Sequence, residues 1–230
     1  MRTRTIVTIS VIAGVVLVGG TAAVAGPIIY RDLIVGEADA APSVTAAPTP
    51  DVAADVSDLT GEWAVADGSF AGYRVDEVLN NTDVTVTGRT EQVTGTLAVD
   101  GLTLTAAELT VDVASIATDS ANRDDYFRDT ALRASEFPTA TFVLTGPVTA
   151  SEAPAVGEVQ HLAATGDLTI AGVTKSVTVE LDAVLNGTDG QVAGSIPVTF
   201  ADFGVEAPNL GFVSVEPEGF VEFSLEIAPA

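Results

Sequence analysis

The sequence predicts an all-β fold of antiparallel strands for residues 61–230, on three observations. Apolar and polar residues alternate with a period of two along many short segments. Turn signals rich in Gly, Asp and Asn separate these segments at regular spacing. One stretch, Ser115 to Phe142, departs from the alternation and reads as a single short helix between strands. Such a pattern means a sandwich or a barrel, and periodicity leaves that choice open.

The chain begins with a targeting segment over residues 1–30. Arg2 and Arg4 precede an uncharged run from Thr5 to Tyr30. As a helix this run would reach ~39 Å at ~1.5 Å per residue, enough for a hydrocarbon core of about 30 Å. A signal-peptide apolar region is shorter, roughly 7–15 residues, so the run predicts an N-terminal transmembrane helix. Cleavage after Ala23-Val24-Ala25 is the alternative, which would yield a secreted protein. Either way the C-terminal part lies outside, since Arg2 and Arg4 stay on the cytoplasmic side. Residues 31–60 read as an Ala/Pro/Asp-rich linker without apolar period, a disordered, semi-rigid and passive tether.

The strands of the domain follow in order. Glu62–Ala66 and Phe70–Leu79 flank Asp67-Gly68, a hairpin signal. Val84–Val99 reads as one long strand or a bent pair, with Gly88 and Gly95 as bulge or bend points. After Asp100-Gly101 comes Leu102–Ser115, with Leu109, Val111 and Val113 on one face. Thr118, Asp119 and Ser120 then offer oxygens for a helix start, and Asp124 and Asp125 suit its first turn. Asp124/Arg128 and Asp129/Arg133 have i,i+4 spacing; Phe127, Ala131 and Ala134 share a face; Pro138 ends the helix, because Phe137 before it is driven to extended geometry. Ala140–Gly146 carries Phe142 and Leu144 on one face, and Leu162–Ile170 follows. Ala171-Gly172 turns into Val173–Leu185, where Val177, Val179 and Leu181 alternate with Thr178, Glu180 and Asp182. Gly187–Gly190 turns into Gln191–Phe200. Gly219–Ile227 closes the chain, with Val221, Phe223, Leu225 and Ile227 opposite Glu222, Ser224 and Glu226.

Composition narrows the function. The net charge is −23. Six acids and three bases precede residue 61, so the domain holds 26 acids against 6 bases, or −20. That argues against nucleic acid and against direct adhesion to anionic headgroups. The absence of cysteine excludes disulfides, thiolate metal sites and a cysteine nucleophile. His161, the single histidine, reads as an exposed residue at a strand start. No nucleophile-elbow, Walker or H-E-x-x-H pattern is present. Asp119, Asp124, Asp125 and Asp129 lack the spacing of a calcium loop and read as a solvated helix face. No catalytic residue, metal site or cofactor is predicted.

The central stretch also resembles the signature of a known family. Ser115-Ile116, Thr118, Arg123-Asp124, Phe137-Pro138 and Thr141-Phe142 match, in order and spacing, the YceI-like lipid/polyisoprenoid-binding proteins. Gly166-Asp167-Leu168-Thr169-Ile170 with Gly172-Val173-Thr174-Lys175 resembles a second signature of that family. Gly204, in Asp202-Phe203-Gly204-Val205, falls in a third. The resemblance covers about residues 61–227, and Gly88-Arg89-Thr90 with Val93-Thr94-Gly95 resembles an actinobacterial-type branch. One departure stands out. The family often carries a histidine at the place of Val75-Asp76-Glu77, and this chain has none there.

The resemblance implies a lipocalin-like β-barrel that binds a polyisoprenoid or other lipid chain, without chemistry, for carriage or sequestration in the cell envelope. The alternative is a structural or stress-related envelope module whose barrel is filled. An eight-stranded barrel is just wide enough for either. Phe70, Tyr73, Leu109, Val111, Val113, Tyr126, Phe127, Phe142 and Leu144 are the expected interior residues. The helix is expected across one end. Arg123, Asp124, Phe137 and Pro138 are expected to be structural, with a ligand clamp as the other reading of Arg123. The expected partners are the lipid ligand and, through the N-terminal helix, the membrane.

Overall fold

The computed structural model describes residues 38–46, 59–209, 211 and 213–230. The expected transmembrane helix, and much of the linker, lie outside these residues. Among the described residues, no helix is long and apolar enough to cross a membrane.

Ten antiparallel strands form one sheet: β1 (Gly61–Leu79), β2 (Thr82–Thr90), β3 (Val93–Asp100), β4 (Thr103–Asp112), β5 (Thr139–Leu144), β6 (Val148–Thr149), β7 (Val159–Ile170), β8 (Val173–Asn186), β9 (Asp189–Thr199) and β10 (Val213–Pro229). The order β1-β3-β4-β5-β7-β8-β9-β10 returns to β1, so these eight strands close a barrel. The closing seam runs from Trp63↔Pro229 to Leu79↔Val213. Closure removes the free edges that a sandwich would leave and settles the architecture as a barrel. β3 pairs with the first few residues of β1, and β2 with its second half. That second half thus stays in the wall, held by β10 on one side and by β2 on the other.

Two turn assignments need correction. Asp67-Gly68 is no hairpin: β1 runs straight through it, with a bulge between Ala66 and Phe70. Ser69 fills the bulge, donating to Ala66 O at 2.7 Å and accepting from Glu226 N at 2.9 Å. Gly68, at φ 93°, supplies the backbone geometry that a bulge and a tight turn both demand. Gly88 and Gly95 carry no bulge, since each lies within continuous pairing, and the two strands separate at Glu91-Gln92. Gly88 makes room: a Cβ there would lie 2.5 Å from the Tyr73 ring. The turn at Ala171-Gly172 is as expected, with both residues at positive φ.

The helix is present but shorter. α1 (Ala121–Tyr126) passes into one π-helical turn, Phe127–Ala131, that ends at Leu132. The wider turn bonds Leu132 N to Phe127 O at 2.9 Å and places Leu132 below Phe127. Arg133, at φ 49°, then reverses the chain before Pro138 is reached. Ser120 caps through its backbone alone, without a side-chain bond. The i,i+4 ion pairs are replaced by Arg128 with Asp125 and Asp129, and Arg133 with Glu136. A bond from Val113 N to Pro138 O, 3.0 Å, pins the whole excursion at its base. Val113 itself lies in a 3-10 turn after β4, packed with Leu132, Ala134 and Ala171.

The linker is not wholly a passive tether. Residues 38–46 lie across the outside of the barrel. Arg74 and Arg89 donate to Asp39 O and Ala40 O, at 2.7 and 2.5 Å. Further along, Thr45 N bonds Gln191 Oε1, and Asn186 Nδ2 bonds Thr45 O. The same two guanidinium groups reach Glu222, an outward-facing residue that is only 3% exposed.

Candidate functional site: the barrel interior

Alternation along each strand directs one row of side chains inward. On β10 these are Val221, Phe223, Leu225 and Ile227, and on β8 Val179 and Leu181, as the sequence predicts. β4 contributes Leu109 and Val111, and β5 contributes Phe142 and Leu144. Many inward positions are Ala, Val or Gly, so the facing rows do not fill the space between them. A cavity of about 950 Å³ runs along the barrel. Trp63, Val99 and Leu185 line it toward one end, and Leu79, Pro208 and Val213 toward the other. Trp63 is anchored by donation from Nε1 to Leu59 O at 3.0 Å.

The helix occupies one end, as expected. Phe127 stacks on Tyr73, with centroids 4.5 Å apart and planes 20° from parallel. Tyr73, Tyr126 and Phe127 all line the cavity there, and so does Val113. Burial pushes the Tyr73 phenol well above its ordinary pKa, so it stays a neutral hydrogen-bonding group.

Phe70 is a correction. It lies on the outer face, beneath the Arg89 guanidinium at 4.4 Å, and is absent from the cavity wall. The reason is the period of two. Phe70 and Tyr73 are three residues apart on one strand, past the bulge, and cannot share a face.

The expected structural residues form the frame of the helix. Arg123, on α1, reaches Glu77 Oε1 of β1 at 3.2 Å and Asp119 Oδ1 at 2.5 Å. Burial works against its charge, but Glu77 and Asp119 outweigh that and raise its pKa further. Asp124 accepts from Thr118 N and Oγ1, at 2.9 and 2.7 Å, which fastens the helix start to the preceding loop. That loop pairs with β2 through two bonds between Arg89 and Ala117, each 3.0 Å. Phe137 packs over Gly172, where a Cβ would sit 2.4 Å from its ring, and Phe142 packs over Gly166 in the same way. The first and second sequence signatures thus meet as aromatic ring on glycine. Asp125 and Asp129 are paired with Arg128. His161 is exposed on the outer face, 2.6 Å from Asp182.

Sequence reasoning missed Glu77 and Trp63 as interior residues. Both carry the signal that Tyr73 does: odd-numbered positions of β1, whose inward row also includes Ala71 and Val75. Glu77 stands inside at the stretch where the resemblance leads one to expect histidine.

The comparisons agree with this architecture. The model of the YceI-like domain matches residues 63–227. A UPF0312 protein of Shewanella denitrificans is 31% identical over 130 residues, 53% of this chain. The match spans 64% of that relative, under two thirds of its length. Among solved structures, a polyisoprenoid binding domain from Saccharophagus degradans, implicated in plant cell wall breakdown, aligns with TM-score 0.59 at 20% identity, over 74% of this chain and 99% of that one. BcnA of Burkholderia cenocepacia aligns with TM-score 0.54 at 23% identity, over 68% and 96%. At such identities these two likenesses are of fold. The match of the family model over most of the barrel carries the assignment: the chain belongs to the YceI-like family.

Proposed function

We propose that this protein binds a polyisoprenoid or other lipid chain inside its barrel, without catalysing a reaction, for carriage or sequestration in the cell envelope. One observation carries the reading: a mainly apolar cavity of about 950 Å³ that extends along the barrel. Its size falls at the upper end of small-molecule sites, roughly 300–1,000 Å³. Each CH₂ of a chain buried there gains about 0.8 kcal/mol. Leu109, Val111, Phe142 and Leu144 would flank the chain, and Tyr73, Tyr126, Phe127 and Val113 would meet its end beneath the helix. Arg123, Asp124, Phe137 and Pro138 would hold that end in shape. The fold likeness to a polyisoprenoid binding domain supports the choice of ligand class. The filled-barrel alternative is hard to reconcile with so large a cavity.

In this reading the N-terminal segment tethers the domain to the membrane, with the barrel outside. Intact mass and membrane fractionation test the tether: a soluble species beginning at Gly26 contradicts it. Mass spectrometry of organic extracts from the purified protein tests the ligand. The expected result is a co-purifying lipid with a long apolar chain. Protein that yields no lipid, and takes up none when offered, contradicts the proposal.

A further inference from the structure

Building on the lipid-binding reading, we infer that the cavity takes chains with a non-anionic, hydrogen-bonding head and rejects chains that end in phosphate, and that Glu77 sets this choice. Among the described residues that line the cavity, the charged side chains are Glu77, Arg123 and Glu206. Arg123 is the single cation of the three, and its charge is already engaged. It contacts Glu77 at 3.2 Å and Asp119 at 2.5 Å. Two carboxylates on one guanidinium leave the cluster net negative before Glu206 is added. β1 is paired there on both sides, by Glu77↔Val84 and Glu77↔Val215, which fixes the backbone from which the carboxylate reaches Arg123. Glu77 is 6% exposed, so solvent screens it weakly.

A phosphate head arriving at this end must displace a carboxylate from Arg123 or settle beside both. Like charges a few ångströms apart repel more strongly here than in water. A neutral head meets a different surface. Tyr73 and Tyr126 offer hydroxyls that donate or accept, and Asn122 offers an amide, all on the cavity wall. Burial keeps the Tyr73 phenol protonated, so it adds no negative charge. An alcohol or carbonyl head is therefore accommodated where an anion is not.

Displacement of diphenylhexatriene, an apolar dye without a polar head, from the full chain tests this. Geranylgeraniol and geranylgeranyl phosphate share a chain and differ only in the head. For the wild type the alcohol should displace the dye at about tenfold lower concentration than the phosphate. Glu77→Gln keeps the side-chain shape, frees Arg123 of one partner and should close most of that gap. Asp119→Asn lies at a half-exposed position and should narrow the gap in the same direction, even if Glu77→Gln folds poorly. Phosphate competing as well as alcohol on the wild type overturns this inference alone. So does a gap that neither variant changes. A wild-type protein that takes up no dye overturns the lipid-binding reading and this inference with it.

Discussion

The barrel buries two carboxylates on opposite faces of its wall, and their surroundings differ. Glu222 points outward from β10 yet is 3% exposed. It accepts from Arg74 at 2.5 and 3.3 Å and lies 3.7 Å from Arg89, and both cations also bond the strap at Asp39 O and Ala40 O. Glu77 points inward from β1 and shares one guanidinium with Asp119. The outer site sets two guanidinium groups, Arg74 and Arg89, against Glu222 and the more exposed Asp39. The inner site has two carboxylates per cation and opens on a cavity. A buried charge must be paired, and the pairing that suffices depends on what else adjoins it. The outer cluster is built to hold the strap and the seam together. The inner one leaves a polar, acidic end to an otherwise apolar cavity.

This comparison can be broken by mutation, beginning with the largest effect. Glu222→Ala should cost about 3–5 kcal/mol, because it leaves Arg74 without a carboxylate and Arg89 with only the exposed Asp39; urea unfolding measures it. Glu77→Ala should cost less, about 1–2 kcal/mol, because Arg123 keeps Asp119 and faces a cavity that water can enter. Equal losses for the two would show that the cavity end is as dry and as tightly packed as the outer cluster. Arg123→Lys should cost about 1 kcal/mol, since an ammonium cannot reproduce the planar fork between Glu77 and Asp119. A lower melting temperature with retained dye uptake fits a structural Arg123, whereas unchanged stability with lost uptake would make it a ligand clamp. Asp39→Ala should have the smallest effect, below about 0.5 kcal/mol. The Asp39 side chain is more than half exposed, and its backbone carbonyl keeps the bond to Arg74. A larger loss would show that the strap carries more of the stability of the outer cluster than its backbone contacts indicate.

Much of the fold was legible in the sequence because alternation is a local signal. The inward rows of β8 and β10 follow from single residues read two apart, and so do Leu109, Val111, Phe142 and Leu144. The same rule, applied strictly, separates Phe70 from Tyr73. What escaped the sequence depends on distant partners. Asp67-Gly68 has the chemistry of a turn and of a bulge alike. The choice is made by β10, where Glu226 pairs with Ser69 across 157 positions of chain. The engagement of Glu77 with Arg123 spans 46 positions, and nothing within either segment announces it. The strap resembles a featureless linker because most of its bonds run through backbone atoms, which any composition supplies. The π-helical turn was hidden for another reason. Its residues suit an ordinary helix, and the wider turn seats Phe127 on Tyr73 and Leu132 among Val113, Ala134 and Ala171.

The central claim, that this barrel encloses a usable apolar cavity, is tested most directly at Val111, on the inward face of β4 near its end. Dye uptake and thermal unfolding would be measured together for the wild type and for Val111→Trp. The account predicts that the wild type takes up diphenylhexatriene, and that Val111→Trp does not, while unfolding at nearly the same temperature because the indole occupies empty space. A wild type that takes up no dye, together with a Val111→Trp variant destabilised by about 1–3 kcal/mol through overpacking, would contradict it and show a barrel filled by its own side chains.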